Sequence, residues 1–108
     1  MVEKAGISLL VDYYGAFLTE RQLKLTRMSV DEDMSLSEIA QEVGVSRQGV
    51  RESLVTAAEK LEEFEKKLGL VERDRRLNAC LDRLTEAVEE GRTDEAIGII
   101  DSIRSAIN

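Results

Sequence analysis

Arg47, Gln48 and Arg51 stand close together behind Ser46 in the stretch SRQGVR. Their chemistry is recognition rather than catalysis. An arginine can donate in parallel to a guanine edge or to a phosphate. A glutamine can donate and accept at once on an adenine edge, and a serine hydroxyl can reach a phosphate oxygen. Ser46 also has a structural use, as the cap of the helix that follows it. Gly49 removes a side chain where another backbone could come close. A second basic run, RDRR at residues 73–76, has side chains that suit RNA phosphate and stacking, but its first reading is the solvated start of a helix.

Catalytic chemistry has little to draw on. The chain contains no histidine and a single cysteine, Cys80. Histidine-based triads, imidazole acid–base steps, histidine metal ligands and an internal disulfide are therefore excluded. Cys80 falls in the apolar register of a helix, where a thiol packs as a small apolar group. The seven glycines are scattered and form no phosphate-cradling loop. We expect no enzyme activity, no metal site and no cofactor.

Charge pulls against the recognition reading. The formal net charge is −7, from 22 acids and 15 bases, where a dedicated nucleic-acid binder usually carries a basic footprint. Within residues 36–56 the bases Arg47 and Arg51 face the acids Glu38, Glu42 and Glu52. Acids beside a phosphate-binding face weaken the counterion-release term that drives nonspecific binding. Two uses of the motif therefore stand side by side: contact with DNA or RNA, and a scaffold that binds protein.

The elements that must position these residues are helices. SLSEIAQEVGVSRQGVRESL, residues 35–54, has helix-turn-helix spacing. Ala40 is the small residue at the helix crossing and Gly44 the turn, with Ile39, Val43, Val45, Val50 and Leu54 as apolar anchors. With Val50 inward and about 100° per residue, Gln48 and Arg51 face outward and Arg47 lies nearer the edge. Upstream, residues 3–17 place Leu9, Leu10, Tyr13, Tyr14 and Phe17 at helical spacing. Thr19 and Gln22 form a capping box for a second helix ending between Met28 and Val30, and Asp31 to Asp33 make a turn. Ser35 with Glu38 caps the third helix, and Ser46 caps the fourth.

The fourth helix is long. Val50, Leu54, Ala57, Leu61, Phe64 and Leu68 make one stripe at four-three spacing, on a helix of about 33 Å. Gly69 ends it. After ERDRR, a helix carries Leu77, Cys80, Leu81, Leu84 and Val88 on one face; Gly91 stops it. Thr93 caps a last helix lined by Ile97, Ile100, Ile103 and Ile107. With no proline among 108 residues and 43% hydrophobic content, this spells an all-α bundle of about six helices. We divide it into a helix-turn-helix domain, residues 1–69, and a C-terminal helical hairpin, residues 70–108. The long stripe outruns a helix-turn-helix core, so a homodimer is expected. A monomer whose hairpin folds back over the stripe is the rival. No apolar run is long enough to span a bilayer and no leader pattern opens the chain, which predicts a cytoplasmic protein without membrane insertion.

Three motifs in order, DYYGAFLTERQ, SLSEIAQEVGVSRQGV and EKLEEFEKKLGL, resemble the YlxM-like family over roughly residues 5–71. These are small bacterial helix-turn-helix proteins associated with the signal recognition particle. The helix-turn-helix itself is similar to the promoter-reading domain of sigma factors. The resemblance implies an all-α fold, no established enzyme activity, and a regulatory role in protein targeting beside the particle's GTPase and its receptor. Components of the particle are the partners it implies. Arg47, Gln48 and Arg51 fall on the family's recognition-helix positions. The sequence departs from the pattern at Thr26, Arg27 and Met28, where an apolar segment is expected. Residues 77–108 lie outside the resemblance.

Overall fold

Side-chain caps set where three helices of the first two-thirds begin. Thr19 Oγ1 accepts from the Gln22 amide at 3.1 Å while Gln22 Oε1 accepts from the Thr19 amide at 3.1 Å. Ser35 and Glu38 repeat the arrangement, and Ser46 Oγ accepts from the Gly49 amide at 3.0 Å. A computed structural model describes residues 3–107. Its elements are α1 (Lys4–Tyr14), a 3-10 turn (Gly15–Phe17), α2 (Glu20–Val30), α3 (Leu36–Val43), α4 (Arg47–Leu68), α5 (Leu70–Glu89) and α6 (Thr93–Ile107). No strand occurs among the described residues, and the fold is all-α. The chain separates after Gly69 into two compact units.

In the first unit, α1, α2 and α3 pack against α4. Ile7, Leu10, Val11, Tyr14, Leu18, Leu25, Met28, Ile39, Val50, Ala57 and Leu61 are buried. The Tyr14 hydroxyl donates to Glu65 Oε1 at 2.5 Å, and Phe64 lies 6.0 Å from the Tyr14 ring and 5.2 Å from that of Phe17. The buried face of α1 is rotated from the expected one: Leu9 and Phe17 are exposed while Ile7 and Val11 are inside. Within α1 the buried face runs through Ile7, Leu10, Val11 and Tyr14, which turns Leu9 outward, and the change to a tighter turn at Gly15 takes Phe17 out of the α1 register. Of the α4 stripe, Val50, Ala57 and Leu61 are buried and Leu68 is exposed. Met28 is buried at the departure noted above, and so is Thr26, only 2% exposed.

In the second unit, α5 and α6 form a helical hairpin turning at Gly91, whose φ of 72° is left-handed backbone that glycine adopts at little cost. The Arg92 amide donates to the Ala87 carbonyl at 2.8 Å. Its guanidinium lies within 3.7 Å of Glu86 and 2.9 Å of both Glu90 and Glu95. Ala87, Ala96 and Ile99 are buried together with Cys80, Leu84 and Ile103 packed on them. Residues 72–76 lie within the first two turns of α5, with Arg73, Arg75 and Arg76 exposed, the solvated helix start that the RDRR run suggests. Two expectations are corrected here. Thr93 is the first residue of α6 rather than its cap. The buried register of α6 runs through Ala96, Ile99 and Ile103, leaving Ile97, Ile100 and Ile107 exposed. The last helix carries isoleucines on two faces, and the small pair Ala87 and Ala96 selects the face that comes closest.

Candidate nucleic-acid interface

The helix-turn-helix rests on a cluster of Leu25, Met28, Ile39, Ala40 and Val50, with Val43, Val45 and Leu54 packed against it. Gly44 ends α3 at φ 72° and ψ 34°, and its amide donates to the Ala40 carbonyl at 2.9 Å. The left-handed residue turns the chain so that Ser46 can cap α4 two residues later. Below Val50 the helix is locked; ahead of it the first turn is open. Arg47, Gln48 and Arg51 are all exposed, and Ser46 is exposed at the cap. Because Ser46 Oγ accepts from Gly49, its own O–H remains available to donate. The Gln48 amide nitrogen donates to Glu52 Oε1 at 3.2 Å, one turn on.

The structure adds two cations that sequence reasoning passed over. A Cβ placed on Gly49 would lie 3.9 Å from Arg21 Nη2, so the Arg21 guanidinium flanks the first turn of α4. Arg21 and Lys24 line a depression of about 330 Å³ with Glu20, Leu25, Val43 and Val45, beside the turn of the motif. Further along α4, Lys60 Nζ is 3.4 Å from Gln22 Oε1. Arg21 and Lys24 share a face of α2 by their spacing, but only the packing of α2 against α4 brings that face to the recognition helix. None of Arg21, Lys24, Arg47 and Arg51 has an ion pair among the described residues. Arg47 and Arg51 stand on the first turns of a 22-residue helix, with Arg21 beside its start and Lys24 beside the turn before it; the unsatisfied amides and dipole of that helix start also favour an anion.

The RDRR run is different. Arg75 Nη2 lies 2.7 Å from Glu72 and Arg76 Nε 3.1 Å from the same carboxylate. Arg73 is 3.4 Å from Asp74. The Arg75 guanidinium holds the Glu72 carboxyl below its ordinary range, and the same contact raises Arg75. Among the described residues no three Cys, Asp or Glu side chains gather as a metal site. No helix among them is long and apolar enough to cross a membrane.

Residues 1–100 match the model of the UPF0122 family, described as "Putative helix-turn-helix protein, YlxM / p13 like". A UPF0122 protein of Thermoanaerobacter sp. (strain X514) is 39% identical over 105 residues, covering 94% of this chain and 90% of its own. One from Symbiobacterium thermophilum is 41% identical over 105 residues, 97% of this chain and 98% of its own. One from Desulforamulus reducens is 48% identical over 71 residues, 66% of this chain and 61% of its own. The likeness therefore does not stop near residue 71, where the three motifs end, but extends through most of the hairpin.

Proposed function

The chain belongs to the UPF0122 family of YlxM / p13 like helix-turn-helix proteins, and from that premise we propose that it is a non-enzymatic regulatory protein that contacts nucleic acid with the first turns of α4. The observation that carries this is that Arg47 and Arg51 on that helix start, with Arg21 beside it and Lys24 beside the preceding turn, have no ion pair among the described residues. Arg47, Gln48 and Arg51 are the side chains offered to base edges or phosphate, with Ser46 donating to a phosphate oxygen. Arg21 and Lys24 meet the backbone of the strand alongside and set the register of the helix. The resemblance drawn from the three sequence motifs supports a place in the signal recognition particle pathway in the cytoplasm, with particle components as partners. The exposed face of the hairpin, Leu81, Val88, Ile97, Ile100 and Ile107, supports a homodimer. Paired helix-turn-helix motifs would then read two half-sites about one helical turn apart.

The net charge of −7 favours a second reading, in which the motif is only scaffold and the ligand is protein. Titration of labelled bacterial DNA and of particle RNA at low salt separates the two. The wild type binds, and an Arg47→Ala/Gln48→Ala/Arg51→Ala variant does not. Arg51→Ala alone costs about 1–3 kcal/mol if Arg51 reads a base. Equal binding by wild type and triple variant would put the site elsewhere; no binding by either would leave the scaffold reading.

A further inference from the structure

The α4 helix carries a second stripe besides the buried one. Val55, Ala58 and Glu62 repeat at three-four spacing, the seam of a helix that packs along another helix. Val55 in this stripe is 46% exposed although it sits mid-helix in the well-packed unit. Across from it stand Thr26, Ser29 and Val30 of α2, and Ile7 and Lys4 of α1 close the end. Together they bound a depression of about 400 Å³ with an apolar floor of Ile7, Val30, Leu54, Val55 and Ala58. Ala58 and Ser29 are small, which lets a third helix approach closely. The Thr26 hydroxyl, buried beside this floor, has no hydrogen-bond partner among the described residues.

Charge names the occupant. Glu59 and Glu62 line the α4 wall, and neither has an ion pair among the described residues. Lys4 on the opposite side is already 2.8 Å from Asp33. The rim is therefore effectively anionic. It repels nucleic acid, and a second copy of a chain with net charge −7 is a poor match for it. We propose that this trough between α2 and α4 seats an amphipathic helix of a partner protein, with apolar residues toward Val55 and Ala58 and lysine or arginine beside Glu59 and Glu62. Glu59 lies about 18 Å along α4 from Arg47, so the surface is separate from the cations at the helix start and does not rest on the nucleic-acid reading.

The probe is a synthetic amphipathic helix of leucine, alanine and lysine, with a counterpart carrying glutamate in place of lysine. Each is titrated into the full ¹⁵N-labelled chain. The lysine peptide shifts the amides of Thr26, Ser29, Val55 and Ala58, and the glutamate peptide does not. In Glu59→Lys/Glu62→Lys the lysine peptide weakens by about tenfold or more, while the glutamate peptide now binds. Val55→Asp, at an exposed site, weakens the lysine peptide with circular dichroism unchanged. Absent shifts, shifts confined to other surfaces, or equal affinity for both peptides overturn the proposal. Shifts at Val55 and Ala58 that grow with protein concentration alone assign the trough to a second copy and overturn it as well.

Discussion

Arg47 and Arg51 on α4 carry no ion pair among the described residues, whereas Arg73, Arg75 and Arg76 on α5 each lie within 3.4 Å of a carboxylate. The same side chain at two helix starts thus meets different local fields, set by which carboxylates reach it. Glu72 stands three and four residues before Arg75 and Arg76, the positions from which a helical neighbour reaches across. Glu52, four residues after Gln48, accepts from Gln48 and not from the adjacent Arg51, whereas the adjacent Asp74 does pair with Arg73. A basic run is therefore weaker evidence for an anion site than a smaller number of bases that form no ion pair among the described residues. The cores differ in the same direction. The helix-turn-helix unit buries Tyr14, Leu25, Ile39 and Leu61 almost completely, while the hairpin core is built from Ala87, Ala96 and Ile99 and leaves Ile107 76% exposed.

The contrast between the two cores gives the largest expected effect. Leu61→Ala, at a site with 0% exposure, should destabilise by about 2–5 kcal/mol, while Ile107→Ala should stay within about 0.5 kcal/mol. Urea denaturation of both variants measures this, and similar costs would break the contrast. Next comes the hairpin's exposed face. If a homodimer covers it, each apolar side chain fully buried there contributes roughly 1.5–3 kcal/mol. Sedimentation equilibrium over a wide concentration range should then give a dimer for the wild type and mainly monomer for Ile97→Ser/Ile100→Ser. A constant mass near 12.1 kDa for the wild type would remove the dimer and the paired half-site geometry with it.

Smaller effects sharpen the account of the helix starts. Ser35→Ala removes one half of a capping box in which both hydrogen bonds are formed, and should cost about 0.5–2 kcal/mol. Acid gives the least. The Ser35 backbone amide is the main reason the Glu38 carboxyl sits below its ordinary 4.5. A carboxyl lowered in the folded state stabilises above its unfolded value, and that contribution is lost as pH falls through the lowered one. A carboxyl-detected NMR titration should show the Glu38 midpoint below 4.5, and a midpoint at or above it would deny the reciprocal cap.

Much of this was legible in the residues. Thr19 with Gln22, Ser35 with Glu38, Gly44 and Gly69 fixed helix ends because each solves a backbone problem within four residues. Gln48 and Arg51 are exposed as the period implies, and Arg47, placed nearer the edge, is exposed as well. What failed was long-range or degenerate. The role of Arg21 and Lys24 depends on how α2 crosses α4, which no local pattern encodes. The face of α6 was ambiguous because Ile99 and Ile100 are adjacent, and the choice came from Ala87 on another helix. Phe17 leaves the expected face because the helical pitch changes at Gly15, which no residue pattern there announces.

The salt dependence of nucleic-acid binding tests the central claim most directly. Affinity for a labelled duplex and for particle RNA is measured from low to moderate salt for wild type, Arg21→Ala/Lys24→Ala and Arg75→Ala/Arg76→Ala. The account predicts that the α2 variant loses about one unit of log–log slope for each phosphate contact removed, while the α5 variant keeps the wild-type slope. A slope lost on changing α5 and kept on changing α2 would contradict it.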